Sequence, residues 1–181
     1  MPNIMLDLET MGTSSDAAIV AIGAVVFVGN RLEEKFYASI DLNSSFDNGG
    51  VIAPDTVLWW LKQSAEARGA FTKDGGTISN ALDTFSAWIS SVKNKYQDDA
   101  KIWGNGASFD NVILASAYHR AGIKQPWSFW NDRCFRTLKN IYPDVAAAER
   151  QGTHHNALSD AVYQAAHAIE ITIQHKLGEL K

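Results

Sequence analysis

The stretch Ile4-Met5-Leu6-Asp7-Leu8-Glu9-Thr10 limits what this chain can fold into more than any other. Apolar and acidic residues alternate along it, and a β-strand sends alternate side chains to opposite faces. Asp7 and Glu9 therefore project from one face, and Leu6 and Leu8 from the other. Two carboxylates held side by side repel unless a cation sits between them, and Mg²⁺ or Mn²⁺ is the hard ion that oxygen ligands favour. A half-buried strand with an exposed polar face gives the same alternation, so the pair alone does not decide between these readings.

The rest of the chain sets the context. Its 181 residues, 46% apolar and 20% charged, predict one globular domain over 1–181 with a core that needs no staples. No basic segment with a following apolar run opens the sequence, and no stretch approaches the length of a membrane span. The expectation is a soluble cytoplasmic protein without a membrane partner. The single cysteine, Cys134, forms no intrachain disulfide, in keeping with a reducing compartment. A net charge of −4 argues at first against a nucleic-acid partner. If four of the 20 acidic residues hold metal, however, the remainder match the 16 Lys and Arg, and bound divalent ions offset the rest.

Beyond the first strand, residues 11–16 read as a turn, residues 18–28 as an Ile/Val-rich strand, and Gly29-Asn30 as a hairpin into a third strand over 34–40. The Asn, Ser, Asp and Gly of residues 41–50 predict a mobile loop. Helical spacing begins at Pro54, with Val57, Leu58, Trp60 and Leu61 able to share a face, and resumes from Ile78 to about Lys95. Lys101-Ile102-Trp103 reads as a short strand broken at Gly104-Asn105-Gly106, with Ser108 as the N-cap of a helix that stops at Gly122. Residues 125–132 carry no clear signal, residues 134–141 read as a short helix before Pro143, and residues 145–148 as a further turn or two. Gln151-Gly152-Thr153 reads as a loop, after which Asn156 caps a final helix to about Leu177.

Chemistry has three more candidate positions. Asp110 opens a helix after a glycine-rich break, a place where ligands collect in α/β folds, although an acid there also suits the helix dipole. Asp160 is open to the same two readings. His154-His155 lies in a loop with Asp160 five residues after His155, and a neutral imidazole can take a proton from water. His119, His167 and His175 read as structural or exposed.

Taken in order, these residues resemble the DEDDh family of 3′-to-5′ exonucleases. Leu6-Asp7-Leu8-Glu9-Thr10 resembles the first motif, Ser108-Phe109-Asp110 the second, and His155-Asn156-Ala157-Leu158-Ser159-Asp160 the third; Glu9-Thr10-Met11-Gly12 and Gly104-Asn105-Gly106-Ala107-Ser108-Phe109-Asp110-Asn111 further resemble small single-domain phage and bacterial members. One departure is that Asn105 stands five residues before Asp110, where many relatives have an Asn four before. The resemblance implies an α/β ribonuclease H-like fold, a central mixed β-sheet flanked by α-helices, with the opening strand central. It implies two divalent cations, Mg²⁺ or Mn²⁺, held by Asp7, Glu9, Asp110 and Asp160, with His155 as the base. The implied substrate is a nucleic acid with a free 3′ end, cut to nucleoside 5′-monophosphates, with Thr10, Met11 and Phe109 contacting it. Homodimers are common among short relatives. DNA and RNA share the phosphodiester, so these residues do not choose between them.

Trp59, Trp60, Trp103, Trp127 and Trp130 read first as core and second as stacking surfaces, and Arg133 and Arg136 read equally as phosphate contacts or ordinary surface. Two other functions remain open at this stage: a non-catalytic nucleic-acid-binding module on the same fold, and a small-molecule phosphohydrolase on another fold.

Overall fold

The computed structural model describes residues 1–72, 75–147, 154–178 and 180. Strands β1 (Asn3–Thr10), β2 (Ile19–Val28) and β3 (Arg31–Ser39) open the chain as antiparallel neighbours. Four helices follow: α1 (Leu42–Asp47), α2 (Pro54–Trp60), α3 (Ala65–Thr72) and α4 (Ile78–Tyr96). Then come β4 (Lys101–Gly104), α5 (Asp110–Arg120), a 3₁₀ turn (Phe129–Asn131), β5 (Asp132–Cys134), α6 (Phe135–Ile141) and α7 (Ala157–Gln174). The sheet runs β3-β2-β1-β4-β5, with β4 parallel to β1 and β5 parallel to β4, so it is mixed and β1 is its central strand. No helix among the described residues is long and apolar enough to cross a membrane.

The alternation in β1 divides the core. Ile4, Leu6 and Leu8 pack on one face with Leu82, Phe85 and Ile89 of α4 and Ile113, Leu114 and Ala117 of α5. Met5 packs on the other with Phe135 and Leu138 of α6 and with Ala161, Ala165 and Ala168 of α7. Asp7 and Glu9 continue the Met5 face, beneath the start of α7 rather than in bulk water. The small residues of α7 let it lie close to the sheet. Gly23, paired with Asp7, marks the closest approach: a Cβ there would stand 2.2 Å from the backbone of Ala157 and Leu158.

Several local expectations need correction. Residues 41–50 are not a loop throughout, because α1 occupies Leu42–Asp47. The Asp and Ser content that reads as loop instead caps and ties the helix. Asp41 accepts from the Ser44 N–H (2.8 Å), Ser45 Oγ from Ile19 N–H (2.9 Å) and Ser44 Oγ from Ile78 N–H (3.0 Å). On α2 only Trp60 is buried, while Leu58 and Leu61 are exposed, so the expected apolar face reduces to one indole. Ser108 is not a cap: α5 begins at Asp110, with Phe109 at the N-cap position, after a turn closed by Phe109 N–H to Gly106 O (2.8 Å). Residues 145–147 form no helical turn; Val145 is buried and its carbonyl meets His167 Nε2 at 2.9 Å. Ala148 and the expected loop at 151–153 lie outside the described residues. Trp60, Trp103 and Trp127 are core, whereas Trp130 is exposed and Trp59 partly so. Of the histidines set aside in the sequence, His167 is buried and lines a cavity with Asp7 and Asp160, His119 is exposed, and His175 sits 3.1 Å from Asp144.

Candidate active site

Asp7 and Glu9 leave β1 on the same side, and Asp160 comes down to them from the first turn of α7. That helix starts where it does because Asn156 accepts from the Ser159 N–H (3.0 Å) and because His155 turns the chain with φ at +60°. One oxygen from each of Asp7, Glu9 and Asp160 lies within 4.8 Å of the others. Glu9 and Asp160 are buried and Asp7 is half-buried. Carboxylates so close, with little water to screen them, favour a divalent cation, and an all-oxygen donor set suits Mg²⁺ or Mn²⁺. The cluster is felt on β3, where burial and then the Glu9 charge raise the Tyr37 phenol above its ordinary value.

Asp110 reaches the same strand by a different contact. It is 2% exposed; its Oδ1 accepts from Leu8 N–H (3.3 Å) and its Oδ2 from Asn105 N–H (2.9 Å). The carboxylate thus lies against the backbone between Asp7 and Glu9, turned onto amides, and outside the group of three. Asn105, at its unusual spacing, meets Asp110 through its main chain, and Arg136 Nη2 donates to the Asn105 carbonyl (2.7 Å). Gly104 makes this approach feasible, since a Cβ there would meet Asn111 Oδ1 at 2.4 Å and Asp110 Cβ at 3.0 Å. Burial pushes the Asp110 carboxyl up to about 6 from 3.8, against the two amides and Arg136, which pull it down. A raised carboxyl favours the folded state only while it is protonated. In metal-free protein, its contribution to stability is full below 3.8 and is lost as the pH rises through about 6. The expected result is that the melting temperature of chelator-treated protein, measured against Asp110→Asn, loses ground between pH 4 and pH 7.

Two cavities have members of the carboxylate group in their walls, Glu9 in one and Asp7 and Asp160 in the other. One, of about 460 Å³, is lined by Glu9, Thr10, Trp59, Trp60 and Phe109 among others. The other, of about 450 Å³, includes Asp7, Asp160, Asn105, Lys139 and Gln164 in its wall. His155 packs its imidazole edge-on against Trp59 (centroids 4.8 Å apart) and Trp60 (6.1 Å), beside the first cavity. Trp60 Nε1 in turn donates to the Thr10 carbonyl (2.9 Å), fixing α2 to the end of β1. Of the expected substrate contacts, Thr10 and Phe109 line this cavity. Met11 is buried, with its N–H donated to Ala18 O (2.8 Å) and its carbonyl accepting from Ala53 N–H (2.7 Å). His154 lies next to His155, its ring centroid 6.2 Å away.

A family model described as the 3′-5′ exoribonuclease Rv2179c-like domain matches residues 2–172. This chain belongs to that family. The exonuclease domain is 26% identical over 160 residues to an exodeoxyribonuclease of Enterobacteria phage T4, an alignment covering 76% of this chain and 70% of the relative. Among solved structures, it resembles the nuclease domain of 3′hExo, a DEDDh family member bound to rAMP. That match has a TM-score of 0.64 at 10% identity and covers 99% of this chain and 96% of the other. Exonuclease X in complex with 5′ overhanging duplex DNA matches with a TM-score of 0.58 at 17% identity, over 96% and 93% of the two chains. The expected ribonuclease H-like fold and the DEDDh 3′-to-5′ exonuclease assignment are both upheld.

One residue beside the carboxylate group escaped the sequence reading. Gln164, 5% exposed on α7, donates its Nε2 to Asp7 Oδ1 at 2.7 Å. It stands four residues after Asp160, so the two share a helix face, which was the available signal. The bond holds one oxygen of the Asp7 carboxylate. Gln164→Leu is expected to lower divalent-metal affinity by ~10–100-fold, as loss of a residue supporting a metal ligand commonly does, and a Mn²⁺ titration checks it.

Proposed function

We propose that this exonuclease removes nucleoside 5′-monophosphates one at a time from the 3′ end of DNA, RNA or both, with Mg²⁺ or Mn²⁺ as cofactor. The grouping of Asp7, Glu9 and Asp160 within 4.8 Å, with Glu9 in the wall of one cavity and Asp7 and Asp160 in the wall of another, carries the reading, because it sets a carboxylate group able to hold metal beside space for a nucleic-acid strand. Asp7, Glu9 and Asp160 would hold two divalent ions, with Asp110 joining when its carboxylate turns from the amides. Bound ions would supply charge for the attacking water and for the leaving oxygen. His155 accepts a proton from that water. The water oxygen forms the new bond to phosphorus, the bond to the 3′ oxygen of the penultimate sugar breaks, and that oxygen takes up a proton. The terminal nucleoside occupies the cavity of Thr10, Phe109 and Trp59, where an aromatic face gives sequence-tolerant stacking. The family is named for an exoribonuclease and the phage relative is an exodeoxyribonuclease, so both polymers belong in the test.

Matched DNA and RNA oligonucleotides, labelled at the 5′ end and carrying either a free or a blocked 3′ end, test the proposal. With Mg²⁺ or Mn²⁺, the free-ended strands should shorten stepwise and yield nucleoside 5′-monophosphates, while the blocked strands persist. Internal cuts, or a mobility shift without cleavage, would contradict it.

A further inference from the structure

Asp110 is the one expected metal ligand that stands outside the group of three, and a chain of contacts from the surface accounts for its position. Arg136, exposed on the first turn of α6, donates Nη2 to the Asn105 carbonyl at 2.7 Å. Asn105 N–H donates in turn to Asp110 Oδ2 at 2.9 Å, and Leu8 N–H to Asp110 Oδ1 at 3.3 Å. The backbone of Asn105 is thus gripped on one side by a cation and on the other by a carboxylate, and charge-assisted hydrogen bonds are roughly twice as strong as neutral ones. Arg136 also lies along the turn: a Cβ at Gly106 would meet its Cβ at 3.8 Å and its Cζ at 3.9 Å. Burial disfavours the ionised Asp110 carboxylate, and the two amides and the Arg136 charge offset that effect.

We propose that Arg136 is a positioning residue that clamps Asn105, keeps Asp110 on the backbone amides, and opposes its joining Asp7, Glu9 and Asp160 on a divalent ion. Both Asp110 oxygens are engaged, so an ion that recruits this carboxylate has to draw it off the Asn105 N–H. Arg136 makes that harder by holding the donor in place, and its own charge repels the incoming cation. The inference rests on the exonuclease reading, in which two ions are bound. The ion nearest Asp110 is then the more loosely held, and it sets the divalent-ion concentration at which the enzyme turns over. The sign separates this role from a merely structural one, because a residue that only supports the site would weaken metal binding when lost, whereas loss of the clamp strengthens it.

A double-mutant cycle on Mn²⁺ affinity tests it, measured by paramagnetic resonance on the metal-free full chain beside a thermal melt. Arg136→Met, which keeps an aliphatic stem over Gly106, should tighten the weaker Mn²⁺ site by ~5-fold or more, the lower end of typical coupling between sites. The Mn²⁺ concentration giving half-maximal rate should fall by a similar factor. In an Asp110→Asn background the same change should leave Mn²⁺ affinity where it was, which a general effect of removing one positive charge would not do. Arg136→Lys, which keeps a charged donor, should stay near wild type. Mn²⁺ affinity unchanged or weakened in Arg136→Met, or tightened equally in both backgrounds, overturns the clamp while leaving the exonuclease reading intact. If the wild type binds no Mn²⁺ and digests no strand, the exonuclease reading itself falls, and this inference with it.

Discussion

Asp7→Asn is expected to reduce turnover by ~10³-fold or more while leaving the fold in place. Metal support of a phosphoryl transfer is worth several kcal/mol, and each ~1.4 kcal/mol is a factor of ten in rate. The substitution keeps size and shape, and an Asn carbonyl can still accept the 2.7 Å hydrogen bond from Gln164 Nε2, so packing beneath α7 has no reason to change. What changes is charge: one of three clustered carboxylates becomes neutral. The measurement is the single-turnover rate beside a thermal melt. An inactive variant with a near-native melting temperature agrees with the assignment, and undiminished metal-dependent digestion in a clean preparation does not.

Gly23→Ala should be the most damaging of the glycine-to-alanine changes. A methyl there would stand 2.2 Å from the Ala157 carbonyl carbon and the Leu158 nitrogen, which are backbone atoms of α7 and cannot rotate aside. Overpacking of this kind costs ~1–3 kcal/mol, which in a chain of this size lowers the melting temperature by roughly 3–10 °C. Function should suffer more than stability. The displaced helix end carries Asp160, and a misplacement of ~1 Å at a reacting centre can cost ~10²-fold in rate. Gly29→Ala is the natural comparison: its φ of +58° makes a side chain strained, but nothing lies within 4 Å. That variant should lose some stability and keep its rate. Equal rates for Gly23→Ala and wild type would show that the docking of α7 does not set the position of Asp160.

Much of this was legible because each signal was local. The alternation in Leu6-Asp7-Leu8-Glu9 fixed which residues face α7, the Ile/Val run and Gly29-Asn30 marked the hairpin, and the apolar spacing of Leu82, Phe85 and Ile89 marked α4. The features missed depend on distant partners. Strand β5 has three residues and exists because Asp132, Arg133 and Cys134 pair with β4. Helix α1 rests on hydroxyls of Ser44 and Ser45 that bond to Ile78 and Ile19, so residues with loop composition became helix. Helix α3 has weak amphipathic patterning and was not anticipated at all. At the site, sequence spacing named Asp110 but could not show its carboxylate turned onto Leu8 and Asn105, an orientation made by the close approach at Gly104.

If Asp7, Glu9 and Asp160 form the metal-holding centre of this exonuclease, Mn²⁺ binding to metal-free protein, followed by paramagnetic resonance, shows it without reliance on substrate. Wild-type protein should bind Mn²⁺ stoichiometrically, while Asp7→Asn and Asp160→Asn should each weaken binding severely. Unchanged Mn²⁺ affinity in both variants would contradict the claim, wherever the hydrolytic activity then proved to reside.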